Sequence, residues 1–191
     1  MPTRREELAE AATDYALEHG LIGLSLRPLA EAVGTSDRML LYHFSDKDDL
    51  VSTILRTSTS RSITGIRALP PSADLRAAVL DLWAAVTTGD QRRCQRLYLE
   101  AAALGLFGSE PYATEVPAAN AAWMAAVSDH LVATGLAARA AHRATELIDS
   151  TFMGLQIDEP LATASQQRRA VRDLADAVVA LWDPPAQPGS A

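Results

Sequence analysis

Residues 25–50 constrain the fold of this chain more than any other stretch, because they place a glycine between two short helical patterns. Ser25 is suited to an N-cap, and after it apolar residues recur at three- and four-residue spacing: Leu26, Leu29, Ala30 and Val33. Gly34 follows where this helix has to end, since glycine reaches a positive φ without a steric penalty. The pattern therefore predicts a short amphipathic helix and then a tight turn.

A second short helix is predicted from Asp37 to Phe44, with the hydroxyls of Thr35 and Ser36 available to cap it. Leu40 and Phe44 lie four residues apart, so both are predicted to pack against the first helix. The other side chains then point partly or wholly outward: Arg38, Met39, Leu41, Tyr42 and His43. Two helices joined by such a turn are typical of a helix-turn-helix that reads DNA.

The run from Leu40 to Phe44, followed by Lys47 and Leu50, resembles the N-terminal signature of the TetR family of transcriptional regulators. The resemblance covers about residues 4 to 55, including the preceding helix with Leu8, Ala11, Ala12, Tyr15 and Ala16. It implies an all-α protein with an N-terminal three-helix DNA-binding domain and a C-terminal helical bundle for ligand binding and dimerisation.

The resemblance also implies a role for each position of the motif. Arg27, Thr35 and Ser36 would approach the DNA backbone or base edges. Arg38 and Met39 would face the major groove. Tyr42, His43 and Lys47 would hold phosphates. The chemistry suits these roles, because arginine pairs with guanine, a methionine can touch a thymine methyl, and hydroxyl, imidazole and ammonium groups bind phosphate oxygens.

Two positions of this surface depart from the family pattern. The family often has an aromatic residue where Leu41 stands and a lysine where Asp37 stands. Because phosphate repels an acid, Asp37 either accepts a hydrogen bond from a cytosine amino group or caps the second helix. We favour the capping role, since an acid in the first helical turn is ordinary.

The charge balance argues against a typical nucleic-acid surface. The chain carries a net charge of −7, and its first fifty residues hold five basic and ten acidic side chains. A basic footprint for DNA is therefore missing from the sequence. We expect most of the acids to face away from the duplex, and we expect modest non-specific affinity with a shallow dependence on salt.

The rest of the chain is predicted to be helical, and the proline-rich residues 184–191 are predicted to be disordered. We place a DNA-binding domain at residues 1–46 and a ligand-binding and dimerisation domain at residues 47–183. Helices are predicted from Asp46 to about Ile66, Ala73 to Thr88, Gln91 to Leu106, Pro117 to Thr134, Ala138 to Ile157 and Thr163 to Trp182.

The last two of these helices carry the stripes through which the resemblance implies a homodimer. One stripe consists of Ala140, Ala144, Leu147, Ile148, Thr151 and Leu155, and the other of Leu174, Ala175, Val178, Leu181 and Trp182. Small residues on both would let helices approach closely. The alternative is that these stripes belong to the intramolecular core.

Aromatic residues concentrate in the second domain and predict a mainly apolar effector site for an aromatic or lipid-like molecule. The candidates are Trp83, Tyr98, Phe107, Tyr112, Trp123, Met124 and Phe152, with Glu100, Asn120, His130 or His142 as nearby polar groups. Taken singly, each aromatic residue is more often core than pocket.

No pattern in the sequence favours an enzyme, a metal or a cofactor. His142 and Glu146 share a helical face, but no third ligand accompanies them, so a surface ion pair is the better interpretation. The sequence lacks a glycine-rich phosphate loop and a GxSxG motif. The single Cys94 is predicted to be a small buried residue rather than a reactive thiol.

The sequence thus predicts a cytoplasmic, homodimeric regulator that binds a palindromic DNA operator, most simply as a repressor, and responds to a small apolar effector. No membrane-length apolar run and no signal peptide are recognised. The alternative is a helical small-molecule-binding or scaffold protein with a degenerate DNA-binding module, which the acidic charge would favour.

Overall fold

A computed structural model describes residues 2–182, and within that range the protein is all-α. The helices are α1 (Arg4–His19), α2 (Leu26–Ala32), α3 (Asp37–His43), α4 (Lys47–Arg67), α5 (Leu75–Val86), α6 (Gly89–Leu106), α7 (Tyr112–Ala133), α8 (Ala138–Ile157) and α9 (Ala164–Trp182). The predicted tail at residues 184–191 lies outside the described residues. None of the helices in residues 2–182 is long and apolar enough to cross a membrane.

Short polar side chains set the starts of several helices. Thr3 forms a capping box with Glu6 at α1, and Asp74 accepts a hydrogen bond of 2.7 Å from the Ala77 amide at α5. Before α9 the Thr163 amide donates a hydrogen bond of 2.8 Å to the Gln166 side-chain oxygen, and the Gln166 amide donates one of 3.3 Å to the Thr163 hydroxyl. These contacts satisfy amides that the first turn of a helix leaves without a partner.

The predicted start of α7 at Pro117 is wrong, because α7 begins at Tyr112 and contains Pro117. Proline is favoured in a first helical turn, which is why the sequence pattern predicts that the helix begins at Pro117. In the structure the Thr114 and Glu115 amides already bond to the carbonyl of Pro111, at 3.2 and 3.0 Å. The helix therefore tolerates one missing amide at Pro117 in its second turn.

Close packing divides the chain into two units. The first contains the chain up to Thr64 together with residues 88–123, and the second contains residues 65–87 and the chain from Met124 onward. The helix-turn-helix therefore shares its packing unit with α6 and the first half of α7. The predicted boundary between residues 46 and 47 is a functional division and stays a prediction.

The core of the first unit draws on α1, α2, α3, α4 and α6. Leu29, Leu40, Leu50 and Ile54 are completely buried in it, and Phe44 is nearly so. These are the apolar positions that the helical spacing assigns to the inside. Their burial fixes α3 on the first unit by one face only.

In the second unit α9 packs against α5 and α8. Part of each predicted dimer stripe is buried within the chain: Ala144, Ile148, Leu174, Ala175 and Val178. The other members are half-buried, except Leu181, whose side chain is 62% exposed. The intramolecular interpretation therefore accounts for the buried members, and dimerisation through the remaining members stays a prediction.

Candidate nucleic-acid interface

The α3 helix is held by a turn and a cap that the sequence predicts. Gly34 has a φ of 72°, the left-handed conformation that favours glycine. Ser36 is the N-cap, and its Oγ accepts a hydrogen bond of 3.2 Å from the Met39 amide. These features direct the chain from α2 into α3 with a defined orientation.

The outward face of α3 presents large side chains to solvent. The exposed fractions of Met39, Leu41 and Tyr42 are 44%, 45% and 78%. The Tyr42 ring meets the half-buried His43 ring edge-on, with centroids 5.1 Å apart. Three large side chains exposed together on one short helix indicate a binding surface, and base edges or deoxyribose would cover it.

Arg38 and Lys47 complete this face as exposed cations. Among the described residues, no carboxylate lies within ion-pair distance of either side chain, although both are close in sequence to acids. A free guanidinium and a free ammonium remain able to pair with phosphate or with a guanine edge.

Asp37 lies in the first turn of α3, and its Oδ1 accepts a hydrogen bond of 2.9 Å from the Arg38 amide. This contact engages the carboxylate at the positive end of the helix, but it joins adjacent residues and Asp37 is not the N-cap. The N-cap itself is Ser36.

The two predicted contacts that precede α3 differ in their surroundings. Arg27 is exposed on α2, where its Nε donates a hydrogen bond of 3.3 Å to Glu31. An exposed pair of this kind is weak, so Arg27 could exchange Glu31 for phosphate at little cost. Thr35 is half-buried in the turn, and its amide donates to the Ala30 carbonyl at 2.9 Å.

Sequence reasoning missed Arg5, which anchors the end of α3 from α1. Its Nε donates to the His43 carbonyl at 3.0 Å, and its terminal nitrogen reaches Asp49 on α4 at 3.1 Å. Its guanidinium also lies 4.8 Å from the centre of the Phe44 ring. Arg5 is therefore a positioning residue. Its partners lie far from it in sequence, so no local pattern indicates this role.

Ion pairs account for much of the acidity that the sequence shows in this region. Arg61 on α4 pairs with both Glu10 and Asp14 on α1. Burial opposes the charge of Arg61, but its hydrogen bonds to the two carboxylates outweigh this and raise its pKa. Further pairs join Arg4 to Glu7, Arg5 to Asp49 and Arg27 to Glu31. Arg61 lies beyond the first fifty residues, so the charge of that segment alone overstates the number of acids that are left without a cation.

A second connection that the sequence did not indicate joins α6 to the turn after α1. Glu100 accepts hydrogen bonds from the amides of Leu21 and Ile22, at 2.7 and 3.1 Å. Gly20 leaves room for it, because a Cβ there would lie 2.7 Å from a Glu100 carboxylate oxygen. Glu100 was considered as a polar group near the effector site, and in the structure its carboxylate binds the backbone of the DNA-reading unit.

Comparison with known sequences agrees with this geometry. The sequence model of the bacterial regulatory proteins of the tetR family matches residues 8–54, which is the segment from α1 into α4. This segment of the chain is therefore similar to the bacterial regulatory proteins of the tetR family.

The relatives of known name match only part of the chain. The HTH-type transcriptional repressor AcnR of Corynebacterium diphtheriae is 40% identical over 58 residues, and that of Corynebacterium glutamicum is 37% identical over 57 residues. Each match spans only 30% of this chain and 30% of the relative. The likeness in sequence to these repressors therefore covers less than a third of either chain.

Solved structures extend the likeness in fold to nearly the whole chain. A transcriptional regulator from Rhodococcus sp. Rha1 superposes with a TM-score of 0.72 at 21% identity, covering 95% of this chain and 98% of that one. The multidrug binding protein EbrR, in a crystal structure with proflavin, gives a TM-score of 0.66 at 22% identity and covers 92% of this chain and 99% of that one. At these identities the comparison shows the fold.

The predicted effector residues divide between the two packing units. Trp83 and Phe152 lie in the second unit with their ring centroids 4.9 Å apart, and the half-buried Met124 belongs to the same unit. The first unit contains Tyr98, Phe107, Tyr112 and Trp123. The structure thus brings Trp83 and Phe152 into ring contact with each other.

The aromatic residues of the first unit have unlike environments. Tyr112 is buried in the core, and burial raises the pKa of its hydroxyl. Phe107 is 86% exposed at the end of α6, whereas Tyr98 is half-buried. Trp123 is half-buried, and its buried indole Nε1 has no hydrogen-bond partner among the described residues. Their roles as effector contacts remain predictions.

The other polar groups that the sequence singles out are accounted for. His142 lies 3.6 Å from Glu146 as an exposed pair on α8, as predicted. Cys94 is buried, and burial raises the pKa of its thiol, which agrees with the prediction of an unreactive residue. The described residues contain no group of three or more His, Cys, Asp or Glu side chains placed to hold a metal ion.

Proposed function

We propose that this protein is a ligand-responsive, DNA-binding transcriptional regulator, and specifically a repressor that binds a palindromic operator as a dimer. The observation that carries the proposal is the face of α3, where unpaired cations and exposed apolar side chains surround a helix fixed by Leu40 and Phe44. Such a face offers direct base contacts and phosphate contacts from one rigid element.

The relatives support both halves of the proposal. AcnR, which is 40% identical over 58 residues, is named as a repressor. EbrR, which is similar in fold, is described as a multidrug binding protein and binds proflavin. We infer a small, mainly apolar effector for this chain as well, with the Trp83–Phe152 pair as the first candidate contact.

The proposed mechanism is a shift between two spacings of the recognition helices. The α4 helix contributes residues to both packing units, so a change in its tilt would move α3 relative to the partner protomer. An effector that binds the DNA-incompetent spacing more tightly would weaken operator binding, with a coupling of about 1 to 3 kcal/mol. In the DNA-competent state the two α3 helices would lie roughly 34 to 36 Å apart, one turn of DNA.

Selection of bound sequences from a random duplex pool by the purified protein tests this proposal. We expect enrichment of a palindrome whose half-sites are about one helical turn apart, together with a dimeric mass in sedimentation. A folded protein that enriches no sequence even at low salt would contradict the proposal. That outcome would favour the alternative of a helical small-molecule-binding protein with a degenerate DNA-binding module.

A further inference from the structure

The carboxylate of Asp49 on α4 organises the turn that follows α3. Its Oδ2 accepts a hydrogen bond of 3.0 Å from the Ser45 amide, and its two oxygens accept bonds of 3.1 and 3.2 Å from the Arg5 guanidinium. Arg5 also donates from Nε to the His43 carbonyl at 3.0 Å. Hydrogen bonds to a charged carboxylate are stronger than those between neutral groups. Asp49 and Arg5 together therefore fix the end of α3 and the turn that leads into α4.

A second arginine, Arg56, lies within reach of the same carboxylate. It follows Asp49 by seven residues on α4, so both side chains leave the same face, about 10 Å apart along the axis. Long side chains on a helix lean toward its N-terminus, so a free Arg56 would reach toward Asp49. The hydrogen bond and the charge of Glu115 raise the pKa of Arg56, and the charge of Asp49 raises it further. Asp49 is thus a second acid that acts on this guanidinium.

Glu115 on α7 holds Arg56 in its present position. The Glu115 carboxylate accepts hydrogen bonds of 3.0 Å from the Arg56 Nε and 2.5 Å from its Nη2. The side chain of Glu115 is 10% exposed, whereas that of Arg56 is 69% exposed. A buried carboxylate is costly without a charged or hydrogen-bonding partner, so Glu115 keeps the guanidinium engaged. While this pair persists, Arg56 does not compete with Arg5 for Asp49.

The four charged side chains form a row that alternates in sign: Arg5, Asp49, Arg56 and Glu115. The row joins α1 and the end of α3 to α4 and α7, and all four residues belong to the first packing unit. The α7 helix begins in this unit and continues in the second from Met124. A displacement of the first turn of α7 would therefore act on Arg56 first and on the end of α3 last.

We propose that Glu115 is a positioning residue for DNA binding, which keeps Arg56 away from Asp49 and so preserves the contact of Asp49 with Arg5. This inference rests on the proposed function and names a device that regulates it. When Glu115 is withdrawn or neutralised, Arg56 pairs with Asp49 and competes with Arg5 for its oxygens. The end of α3 then loses its fixed position, which weakens the phosphate contacts made there, because a preorganised surface binds more tightly than a mobile one.

The operator affinity of charge-neutralised variants tests the inference, measured on the palindrome recovered by DNA selection. Glu115→Gln should weaken operator binding by about fivefold or more, since it frees Arg56. Removal of an acid would by itself strengthen binding, because like charges repel. Adding Arg56→Gln to Glu115→Gln should restore most of the lost affinity, since the competing arginine is then absent. A purely structural loss at Glu115 would not be rescued in this way.

Asp90→Asn is the matched control, because it removes an exposed acid of the same unit and releases Arg93, its partner on α6. It should not weaken operator binding. Arg56→Gln alone should keep the affinity within about twofold of wild type, because Asp49 retains Arg5. Glu115→Gln that binds the operator as tightly as wild type, or a loss that Arg56→Gln does not restore, would overturn the inference. An equal loss in Arg56→Gln alone would also overturn it.

The NMR signal of the Ser45 amide separates this inference from the proposed function. Glu115→Gln should shift this signal, since the carboxylate partner of Ser45 is drawn away. The Ala77 amide, which Asp74 binds at 2.7 Å in the second unit, should not shift. If no palindrome is enriched, the proposed function fails, while a Ser45 shift that Arg56→Gln reverses still supports the competition between the arginines. If a palindrome is enriched but the Ser45 signal stays in place, the regulator stands and the inference fails.

Discussion

The α3 face and the Trp83–Phe152 region present their functional side chains in opposite ways. On α3 the candidate contacts lie outward on a short helix, whereas Phe152 is buried and meets its partner from another helix. The first surface lies within α3 and the start of α4, which are adjacent in sequence, and the second exists only after α5 and α8 have packed. A DNA-reading surface can therefore be recognised locally, while an effector site depends on tertiary structure.

The two surfaces also differ in how charge is managed. In the first unit Asp49, Glu10 and Asp14 are paired with arginines. Arg38 and Lys47 have no carboxylate within ion-pair distance among the described residues. In the second unit Asp149 is left without a partner among the described residues. We expect the first arrangement to attract an anion.

The largest effect on stability is expected for the buried one of two adjacent leucines on α3. Leu40→Ala removes a completely buried side chain and should lower the free energy of unfolding by about 2 to 5 kcal/mol. Leu41, at the next position, is 45% exposed. Leu41→Ala should therefore change the free energy of unfolding by less than about 0.5 kcal/mol while it weakens DNA binding. Urea unfolding and operator titration of both variants check this. Equal losses of stability would show that the outward face of α3 is misassigned.

The connection from α6 to the DNA-reading unit predicts a smaller difference between two glycines. Gly20→Ala and Gly23→Ala both place alanine at a positive φ, which costs about 1 to 2 kcal/mol. Gly20→Ala should cost more, because its Cβ displaces Glu100 from the Leu21 and Ile22 amides, whereas nothing lies near a Cβ at Gly23. The extra cost should disappear when Glu100 is also replaced by alanine. A cost for Gly20→Ala that Glu100→Ala leaves unchanged would exclude this coupling.

Salt dependence distinguishes a free cation from a paired one. Lys47→Ala should lower the slope of log affinity against log salt by about 0.9, the value for one phosphate contact. Arg4→Ala is the control, since Arg4 already pairs with Glu7 at 3.0 Å. It should leave the slope unchanged. The two variants should be measured on the same operator duplex, and equal slopes for both would remove the phosphate role of Lys47.

The smallest effect concerns the stability of the second unit at different pH values. The pKa of Asp149 is raised in the folded state, so folding favours its protonated form. Its contribution to stability is fully present below the unfolded pKa and is lost as pH rises through the folded pKa. Asp149→Asn should therefore be more stable than wild type at neutral pH, and the difference should shrink in acid. Thermal unfolding across this range checks the sign, and a variant less stable at neutral pH would contradict it.

Sequence patterns predict most of this fold because the informative signals are local. Gly34, Ser36 and the spacing of Leu40 and Phe44 define the turn and the inward face of α3 within ten residues or so. The roles of Arg5 and Glu100 were missed because their partners lie 38 to 79 residues away in sequence. The aromatic candidates could be listed but not grouped, since Tyr112 and Phe152 occur in similar patterns and belong to different packing units.

The central claim is that the outward face of α3 reads bases, and repeating the DNA selection with Arg38→Ala tests it most directly. We expect the variant to recover the same palindrome with one base position relaxed symmetrically in each half-site, at a loss of about 1 to 3 kcal/mol in binding free energy. Lys47→Ala should recover the unchanged palindrome. If Arg38→Ala also recovers an unchanged palindrome with unchanged affinity, α3 does not read the operator through Arg38 and the account of this face is contradicted.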